Sequence, residues 1–308
     1  MTPRKIRSVG RMSLADFDRF CRLSVLVMAR GIREDVGAAQ VQRKTSYAGE
    51  VGGDVVTTAD LGAQRRLLEL AGRYLPEQVG LIGEENGLRR PSTLTGPSVV
   101  LTIDPADGTR SLIKAIEAHR QPVPGEVSAM LGVQVDGVAV GAYICDVGDL
   151  MTYMRTPYDS RVLRVTPEGT ETDMSTLPRA QSLAKGTLLR HGRRPIGTSL
   201  GNRLVSTAFG RIQPGGNSIG LTVMGVFSGQ FVAALRVAGT YATPWDDTPV
   251  QAACYRSHVV TLRVNRDRLE ELRFDRLDQL TRCDYDILYV ARQYLPELRR
   301  HAQVITLP

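Results

Sequence analysis

The sequence, 308 residues long, has no long apolar run and few cysteines. No stretch approaches the ~18 uninterrupted apolar residues of a membrane-spanning helix. The four cysteines are widely spaced and form no Cys-x-x-Cys pair, which argues against a zinc site and a disulfide framework. The basic start is not followed by a continuous apolar segment, so we expect no signal peptide and a cytoplasmic location. No internal repeat is present.

Recognisable nucleic-acid-binding motifs are also missing, although the net charge is +7 at pH 7. The basic residues are scattered and are not accompanied by a basic-aromatic pattern. This distribution favours a solvated, arginine-rich surface with some attraction for anionic substrates. We therefore expect neither a nucleic-acid partner nor a membrane partner.

The chain does contain alternating strand and helix patterns, which are typical of an α/β protein. We expect two domains, an α+β domain over residues 1–157 and an α/β domain over residues 158–308, joined in the polar and irregular stretch Thr156–Ala180. The polar stretch Gln40–Gly53 is either a lid over a site or a simple connection. Spacing further predicts a helix near Arg266–Leu272.

The stretch Leu101–Thr109 is the centre of the pattern. The apolar run Val99–Ile103 predicts a buried strand, Asp104-Pro105 is expected to break it, and Asp107-Gly108-Thr109 is expected to turn into a helix. Two carboxylates would then leave a strand end beside the N–H groups of a helix N-terminus. Two carboxylates so near each other favour binding of a hard cation. The helix N-terminus favours binding of an anion such as phosphate. The alternative is a plain aspartate-rich turn.

Three other acidic positions accompany this stretch. Asp60 stands at or near the start of a predicted helix, where a capping role is the simple alternative. Glu84-Glu85 follows the short predicted strand Val79–Ile82, and such acids are usually only solvated. Asp246 is expected to cap a helix that begins near Pro244, with Pro249 in the first turn.

Taken in order, these clusters resemble the inositol monophosphatase superfamily of metal-dependent, typically lithium-sensitive phosphatases. That superfamily includes fructose-1,6-bisphosphatases and 3'(2'),5'-bisphosphate nucleotidases. The resemblance runs from about Asp54 to Asp246, and Ser218-Ile219-Gly220 is similar to the Ser-Val-Gly segment of the family. It implies a layered α/β/α/β/α fold, two or three Mg²⁺ ions, a small phosphorylated metabolite as substrate, and a possible homodimer.

The resemblance also implies roles for individual residues. Thr109 would orient the nucleophilic water, with Asp60 and Glu84 taking part in catalysis. Gly108, Thr109, Arg110 and Gly220 would bind substrate. The metal ligands would be Glu84, Asp104, the carbonyl of Ala106, Asp107, Asp246 and, for a further ion, Asp60. Metal ions of this kind gather substrate oxygens and acidify a water in phosphoryl transfer.

Departures from the family pattern leave the substrate open. Asp247 adds a carboxylate beside Asp246, and the usual Glu-Ala-Gly-Gly segment after Trp245-Asp246 is missing. Arg110 with Lys114 would suit a second phosphate, although both are equally well explained as solvated residues at a helix start. The leading expectation is a phosphatase of an inositol, sugar or cyclitol phosphate. The alternatives are a bisphosphate nucleotidase and a regulatory protein that binds metal or phosphate without turnover.

Overall fold

The architecture rests on a computed structural model. It describes residues 6–43, 55–191, 196, 198–215, 218–239, 241–265, 268–272 and 281–303. Most of the predicted lid or connection, from Lys44 onward, lies outside the described residues. In the described part no helix is both long and apolar enough to cross a lipid bilayer.

Seven α-helices are present in these ranges. They are α1 Leu14–Asp35, α2 Thr58–Tyr74, α3 Thr109–Glu117, α4 Ser199–Ala208, α5 Ile219–Phe227, α6 Pro244–Cys254 and α7 Leu295–Gln303. Ser13 caps α1 by accepting the Asp16 N–H at 3.1 Å. The apolar positions of α1, such as Phe17 and Ile32, are buried at helical spacing.

The strands form two large sheets and three two-stranded pairs. In chain order they are β1 Ser8–Val9, β2 Met12–Ser13, β3 Val41–Arg43, β4 Val55–Thr57, β5 Gly80–Gly83, β6 Arg89–Arg90, β7 Val99–Asp107, β8 Ser128–Val135, β9 Val138–Asp146, β10 Thr152–Arg155, β11 Leu163–Val165, β12 Glu171–Asp173, β13 Thr187–His191, β14 Arg211–Pro214, β15 Ala233–Arg236, β16 Tyr241–Ala242, β17 Val259–Val264, β18 Leu269–Glu271, β19 Thr281–Arg282 and β20 Asp286–Ala291.

The first large sheet has the strand order β12-β11-β10-β9-β8-β7-β5-β6. Strands β5 and β7 are parallel, so their carboxyl ends meet at one edge. The remaining neighbours are antiparallel. Strands β8 and β9 are joined by a turn at Asp136-Gly137, a pair typical of hairpins, in which both residues have positive φ, as a type I′ turn requires. The second sheet has the order β14-β13-β15-β20-β17-β18 and mixes parallel and antiparallel pairs.

The sheets and helices stack in five layers. Helices α1 and α2 pack on one face of the first sheet, α5 and α6 lie between the two sheets, and α4 and α7 pack against each other and against the apolar side chains on the outer face of the second sheet. Every residue of β8 is buried, because helices cover both faces of the sheet at that strand. The structure confirms the predicted α/β fold and its α/β/α/β/α layering.

Several local predictions were wrong. The strand from Val99 does not break at Asp104-Pro105 but continues to Asp107, with a register shift that accommodates a proline without an N–H. The predicted helix near Arg266–Leu272 is the strand β18 where it is described, at Leu269–Glu271, because pairing with β17 overrides its helical spacing. The irregular stretch after Thr156 contains two short strands, β11 and β12.

The start of α6 also differs from the prediction. Thr243, and not Asp246, is the N-cap, and Pro249 lies inside the helix beyond its first turn. Asp246 and Asp247 both fall in the first turn. The domain division between residues 157 and 158 stays a prediction. The first sheet includes strands that follow this boundary in the chain, and the last of them, β12, ends at Asp173.

Candidate metal centre

The end of β7 places two carboxylates in the interior. Asp104 is 2% exposed and Asp107 is 7% exposed. The irregular backbone between them is fixed by its own side chains, since the Ala106 N–H donates to Asp104 Oδ1 at 3.0 Å. The Thr109 hydroxyl donates to the Ala106 carbonyl at 3.2 Å. The strand end therefore holds together four of the residues predicted for the site.

Asp107 is bound to the start of α5. Its Oδ2 accepts from the Ser218 hydroxyl at 2.6 Å and from the Gly220 N–H at 2.8 Å, and its Oδ1 accepts from the Ile219 N–H at 3.1 Å. A helix N-terminus favours a carboxylate through its N–H groups and its dipole. The predicted substrate role of Gly220 stays a prediction; in the structure this residue orients Asp107.

Glycine is required at position 220 by close packing. A Cβ there would lie 2.4 Å from Met130 Sδ and 3.3 Å from Asp107 Oδ2. The Ser128 hydroxyl also reaches Asp107 Oδ2, at 3.3 Å. Ser128 was not among the predicted site residues, and its place in the apolar β8 pattern gave no indication of this contact.

Asp246 completes the cluster from the second half of the chain. One carboxylate oxygen each from Asp104, Asp107 and Asp246 all lie within 4.8 Å of one another. Thr243 fixes the first turn of α6 by accepting the Asp246 N–H at 3.1 Å. Glu84, which follows β5, lies within hydrogen-bonding reach of Asp104. The structure thus brings four of the predicted carboxylates to one edge of the first sheet.

Burial and mutual repulsion raise the pKa values of this cluster. Burial raises the pKa of Asp104 well above its usual value, and the charges of Glu84, Asp246 and Asp107 raise it further. Burial, followed by the charge of Asp246, raises the pKa of Asp107 to about 7, although its bonds from Ser218, Gly220 and Ile219 oppose the shift. Burial also raises the pKa of Asp246, against the positive charge of Arg236. These groups ionise together only with difficulty unless a cation joins them.

Asp60 occupies the first turn of α2 and is almost completely buried. Thr57, not Asp60, is the N-cap; the Asp60 side chain accepts the Thr57 N–H at 2.6 Å in a reciprocal capping box. One turn later, Gln64 bonds to the backbone of Glu85 through both its amide atoms, at 2.9 and 3.3 Å. The start of α2 therefore lies against the segment that carries Glu84. Asp60 is outside the three-carboxylate cluster, and its metal role stays a prediction.

Asp247 does not join the cluster. It is fully buried, and its Oδ1 accepts from Arg236 Nη1 at 2.8 Å while its Oδ2 accepts the Thr243 N–H at 2.8 Å. Arg236, the last residue of β15, thus neutralises the extra carboxylate beside Asp246. Arg236 was missed by the sequence reasoning, because a lone arginine in a strand does not indicate which distant carboxylate it meets.

The start of α3 has the geometry expected of an anion site. Gly108 is its N-cap with φ +105°, and a Cβ there would lie 2.5 Å from the Glu126 carbonyl oxygen. Arg110 and Lys114 lie one helical turn apart on α3 and are both exposed. Backbone N–H groups at the start of α3 therefore follow Asp107 directly in the chain, and the role of Arg110 and Lys114 in binding phosphate stays a prediction.

The donor set fits a hard divalent cation. Its atoms are carboxylate oxygens with a backbone carbonyl beside them, and such oxygen-only sets are preferred by Mg²⁺ and Ca²⁺. The close approach of carboxylate oxygens from two buried aspartates and the partly buried Asp246 is the feature that calls for a cation. Chemically, the arrangement can hold a metal on one side and a phosphate on the other.

Comparisons with known proteins agree with this geometry. A model of the inositol monophosphatase family matches residues 23–177. No curated protein sequence gives a significant match.

Solved structures of similar fold cover nearly the whole chain. An IMPase/NADP phosphatase complexed with NADP and Ca²⁺ is 16% identical with a TM-score of 0.67, over 94% of this chain and 95% of that one. An inositol monophosphatase from Anabaena (Nostoc) is 14% identical with a TM-score of 0.64, over 96% and 97%. The extragenic suppressor protein SuhB from Bartonella henselae is 13% identical with a TM-score of 0.64, over 94% and 98%. At these identities the likeness establishes the fold.

Proposed function

The chain belongs to the inositol monophosphatase family, and from that premise we propose that it is a Mg²⁺-dependent phosphomonoesterase acting on a small phosphorylated metabolite. The observation that carries the proposal is the cluster of the buried Asp104 and Asp107 with the partly buried Asp246, beside the N-terminus of α3. A merely structural aspartate turn would not collect three carboxylates whose pKa values are raised, first by burial and then by neighbouring acidic charges.

The predicted metal ligands fall into three groups according to where they lie. Asp104, Asp107 and Asp246 would hold the metal directly, with Glu84 and the Ala106 carbonyl alongside, and Asp60 would serve a further ion. When bound, Mg²⁺ supplies Lewis-acid stabilisation of the phosphoryl charge and lowers the pKa of a bound water.

The protein's own groups would position the phosphate. The N–H groups at the start of α3, around Gly108 and Thr109, are available to an anionic oxygen. The Thr109 hydroxyl, bonded to the Ala106 carbonyl, also has acceptor lone pairs with which to orient a water. Positioning and electrostatics of this kind account for most of the rate in phosphoryl transfer.

The substrate is an inositol, sugar or cyclitol monophosphate in the leading form of the proposal. A second candidate is the 3'-phosphate of a 3',5'-bisphosphate nucleotide. Arg110 and Lys114 favour it, because both are exposed and lie one turn apart on α3, the helix whose N-terminus would bind the phosphate. The solved IMPase/NADP phosphatase with NADP bound shows that this fold accepts a phosphorylated nucleotide.

The deciding experiment measures phosphate release with Mg²⁺ from inositol 1-phosphate, fructose 1,6-bisphosphate, adenosine 3',5'-bisphosphate and histidinol phosphate. We expect turnover of at least one substrate, loss of activity with a chelator, and inhibition by Li⁺. Preference for the nucleotide, reduced in Arg110→Gln and Lys114→Gln, would identify the second candidate. Binding of Mg²⁺ and of inorganic phosphate with no turnover across the panel would instead support a regulatory protein without catalysis.

A cytoplasmic location and a homodimer are further parts of the proposal. They rest on composition and on the family resemblance. Light scattering of the purified protein tests the dimer directly, and a mass equal to one chain would contradict it.

A further inference from the structure

A large groove lies at the other end of α2 from the carboxylate cluster. It has a volume of about 1580 Å³ and is lined by the β1–β2 hairpin, the start of α1, the end of α2 and residues 93–97. Asp60 and Arg73 are thirteen positions apart on α2, which corresponds to about 20 Å along a helix axis. The groove also lies near the starts of β5 and β7, whereas the carboxylates lie at their ends. It is therefore separate from the proposed active site.

Four arginines line this groove, which we name the arginine groove. They are Arg7, Arg11, Arg19 and Arg73, and all four are exposed. Among the described residues, none of these four side chains forms an ion pair or hydrogen bond. The one carboxylate in the lining, Asp16, accepts from the Ser13 hydroxyl at 2.7 Å.

Two other arginines of these helices are paired: Arg22 of α1 lies 3.4 Å from Glu171, and Arg66 of α2 lies 2.7 Å from Asp35. Arg19 of α1 and Arg73 of α2 face the groove with no ion-pair partner among the described residues. This concentrates positive charge on a concave surface, where it attracts an anionic partner.

The groove is apolar as well as basic. Leu23 is 43% exposed and Tyr74 is 59% exposed, and both belong to its lining. Leu94 and Met12 add partly buried apolar surface between them. Guanidinium groups beside exposed apolar side chains match a ligand that presents carboxylates and apolar side chains together.

We propose that the arginine groove binds an acidic amphipathic segment of a partner protein. Planar guanidinium groups pair with carboxylates in two-point contacts, while Leu23 and Tyr74 receive apolar side chains of the segment. The volume exceeds the ~300–1,000 Å³ of ordinary small-molecule sites, which favours a polypeptide.

Charge and shape argue against four other occupants of the arginine groove, namely the chain's own first residues, a second copy of the chain, single-stranded nucleic acid and a lipid bilayer. The chain's own first residues contain Arg4 and Lys5, and a second copy would bring a net charge of +7 toward the same basic surface. Single-stranded nucleic acid binds through several stacking aromatics, whereas Tyr74 is the exposed aromatic of this lining. A bilayer surface does not enter a concave groove.

The test uses the full chain and fluorescence anisotropy of a labelled acidic amphipathic peptide with leucines at helical spacing. The groove variant carries Arg11→Gln, Arg19→Gln and Arg73→Gln. The matched control carries Arg203→Gln, Arg211→Gln and Arg300→Gln, which remove the same charge from exposed sites elsewhere. We expect the groove variant to bind at least about tenfold more weakly and the control to bind as the parent protein does.

Further arms separate the possible sources of binding. The peptide with glutamine in place of each glutamate, and a scrambled peptide of equal charge, should both bind more weakly, because charge and apolar spacing are both needed. Tyr74→Ser should weaken binding without touching charge. Thermal unfolding of each variant verifies the fold, and phosphatase activity should be unchanged in all of them.

Three results would overturn the proposal. These are equal weakening in the groove and control variants, tighter binding of oligo-dT or of phosphatidylserine vesicles at the same arginines, and a concentration-dependent dimer that the groove variant abolishes. Hydrogen exchange with saturating peptide gives an independent readout, and protection is expected in residues 7–23 and 73–78.

Discussion

At the scale of single residues, Asp104 shows most directly why the site calls for a cation. Its burial raises its pKa well above the usual value, and the neighbouring charges of Glu84, Asp246 and Asp107 raise it further. A side chain that pays this penalty in the absence of a cation gains most when a cation binds. Replacing its charge should therefore separate metal binding from folding.

We predict that Asp104→Asn lowers Mg²⁺-dependent phosphate release at least about a hundredfold, because several kcal/mol of metal-derived stabilisation are lost. The metal-free variant should unfold cooperatively and at a temperature no lower than the parent, since one repelled carboxylate is gone. Calorimetry with and without Mg²⁺ measures both effects. Asp284→Asn, at a side chain 87% exposed, is the control. Retention of full activity in Asp104→Asn would contradict the site assignment.

Arg236 and Asp247 form a buried ion pair whose side chains are 5% and 0% exposed. We predict that Arg236→Met destabilises the fold by about 3–5 kcal/mol, because it leaves the Asp247 carboxylate buried without its cation. The double variant Arg236→Met with Asp247→Leu should recover most of that loss. Urea unfolding gives the free energies, and Arg161→Met, at the exposed pair with Asp159, should have a much smaller effect.

An additive double variant would show that the two charges do not interact. That result would also remove Arg236 as the group that neutralises the carboxylate next to Asp246.

At the scale of elements, β8 and α6 meet at a glycine. A Cβ at Gly132 would lie 2.6 Å from Thr102 Oγ1 and 2.6 Å from Thr248 Cγ2. Because α6 carries Asp246, any displacement there reaches the carboxylate cluster.

We predict that Gly132→Ala destabilises the protein by about 1–3 kcal/mol through overpacking and weakens Mg²⁺ binding measured by titration calorimetry. Gly72→Ala is the matched control, since Gly72 is exposed within α2 and a Cβ there meets nothing within 4 Å. That control should be neutral or slightly stabilising. Unchanged Mg²⁺ affinity in Gly132→Ala would show that α6 can shift without moving the site.

Elements with strong local patterns were predictable from the sequence. The buried strand at Val99, the Asp136-Gly137 hairpin and the helix after Ser13 each follow from a local pattern of apolar spacing or turn chemistry. The continuation of β7 through Pro105 was not predictable, because a bulge tolerates proline only when the neighbouring strand permits a register shift. The strand β18 was missed since its partner β17 outweighs its own helical spacing.

The candidate site likewise contains residues that could be predicted from the sequence and contacts that could not. Asp104, Asp107 and Asp246 were found because acidic residues at strand ends and helix starts form a recognisable order. The contacts of Ser218 and Ser128 with Asp107, and the pairing of Arg236 with Asp247, were not predicted. They depend on how distant elements pack, and a short-range pattern does not contain that information.

At the scale of the whole molecule, the carboxylate cluster links stability to pH and to metal. Burial raises the pKa of Asp107 in the folded protein to about 7, so its proton stabilises the metal-free fold at low pH. That contribution is fully present below the ordinary aspartate value of about 3.9 and is lost as the pH rises through about 7.

We predict that Mg²⁺ raises the unfolding temperature more at about pH 8 than at about pH 5, because protons compete with the metal for the same oxygens. The comparison uses the difference between Mg²⁺ and chelator at each pH. Asp146 lies outside the carboxylate cluster, and its burial raises its pKa to about 6. Its titration contributes equally with Mg²⁺ and with chelator, so it cancels in the difference. A Mg²⁺ effect that does not change with pH would contradict the link between the cluster and the metal.

The hydrogen bonds from the start of α5 to Asp107 have a consequence for recombination between related genes. A strand from the first sheet supplies the carboxylate, and a helix after residue 218 supplies three of the groups that orient it. Neither half of the gene therefore encodes the complete carboxylate cluster by itself. A recombinant that took its second half from a distant relative would keep the site only if the incoming helix began with the same hydroxyl and glycine, so this contact limits which crossovers evolution can accept.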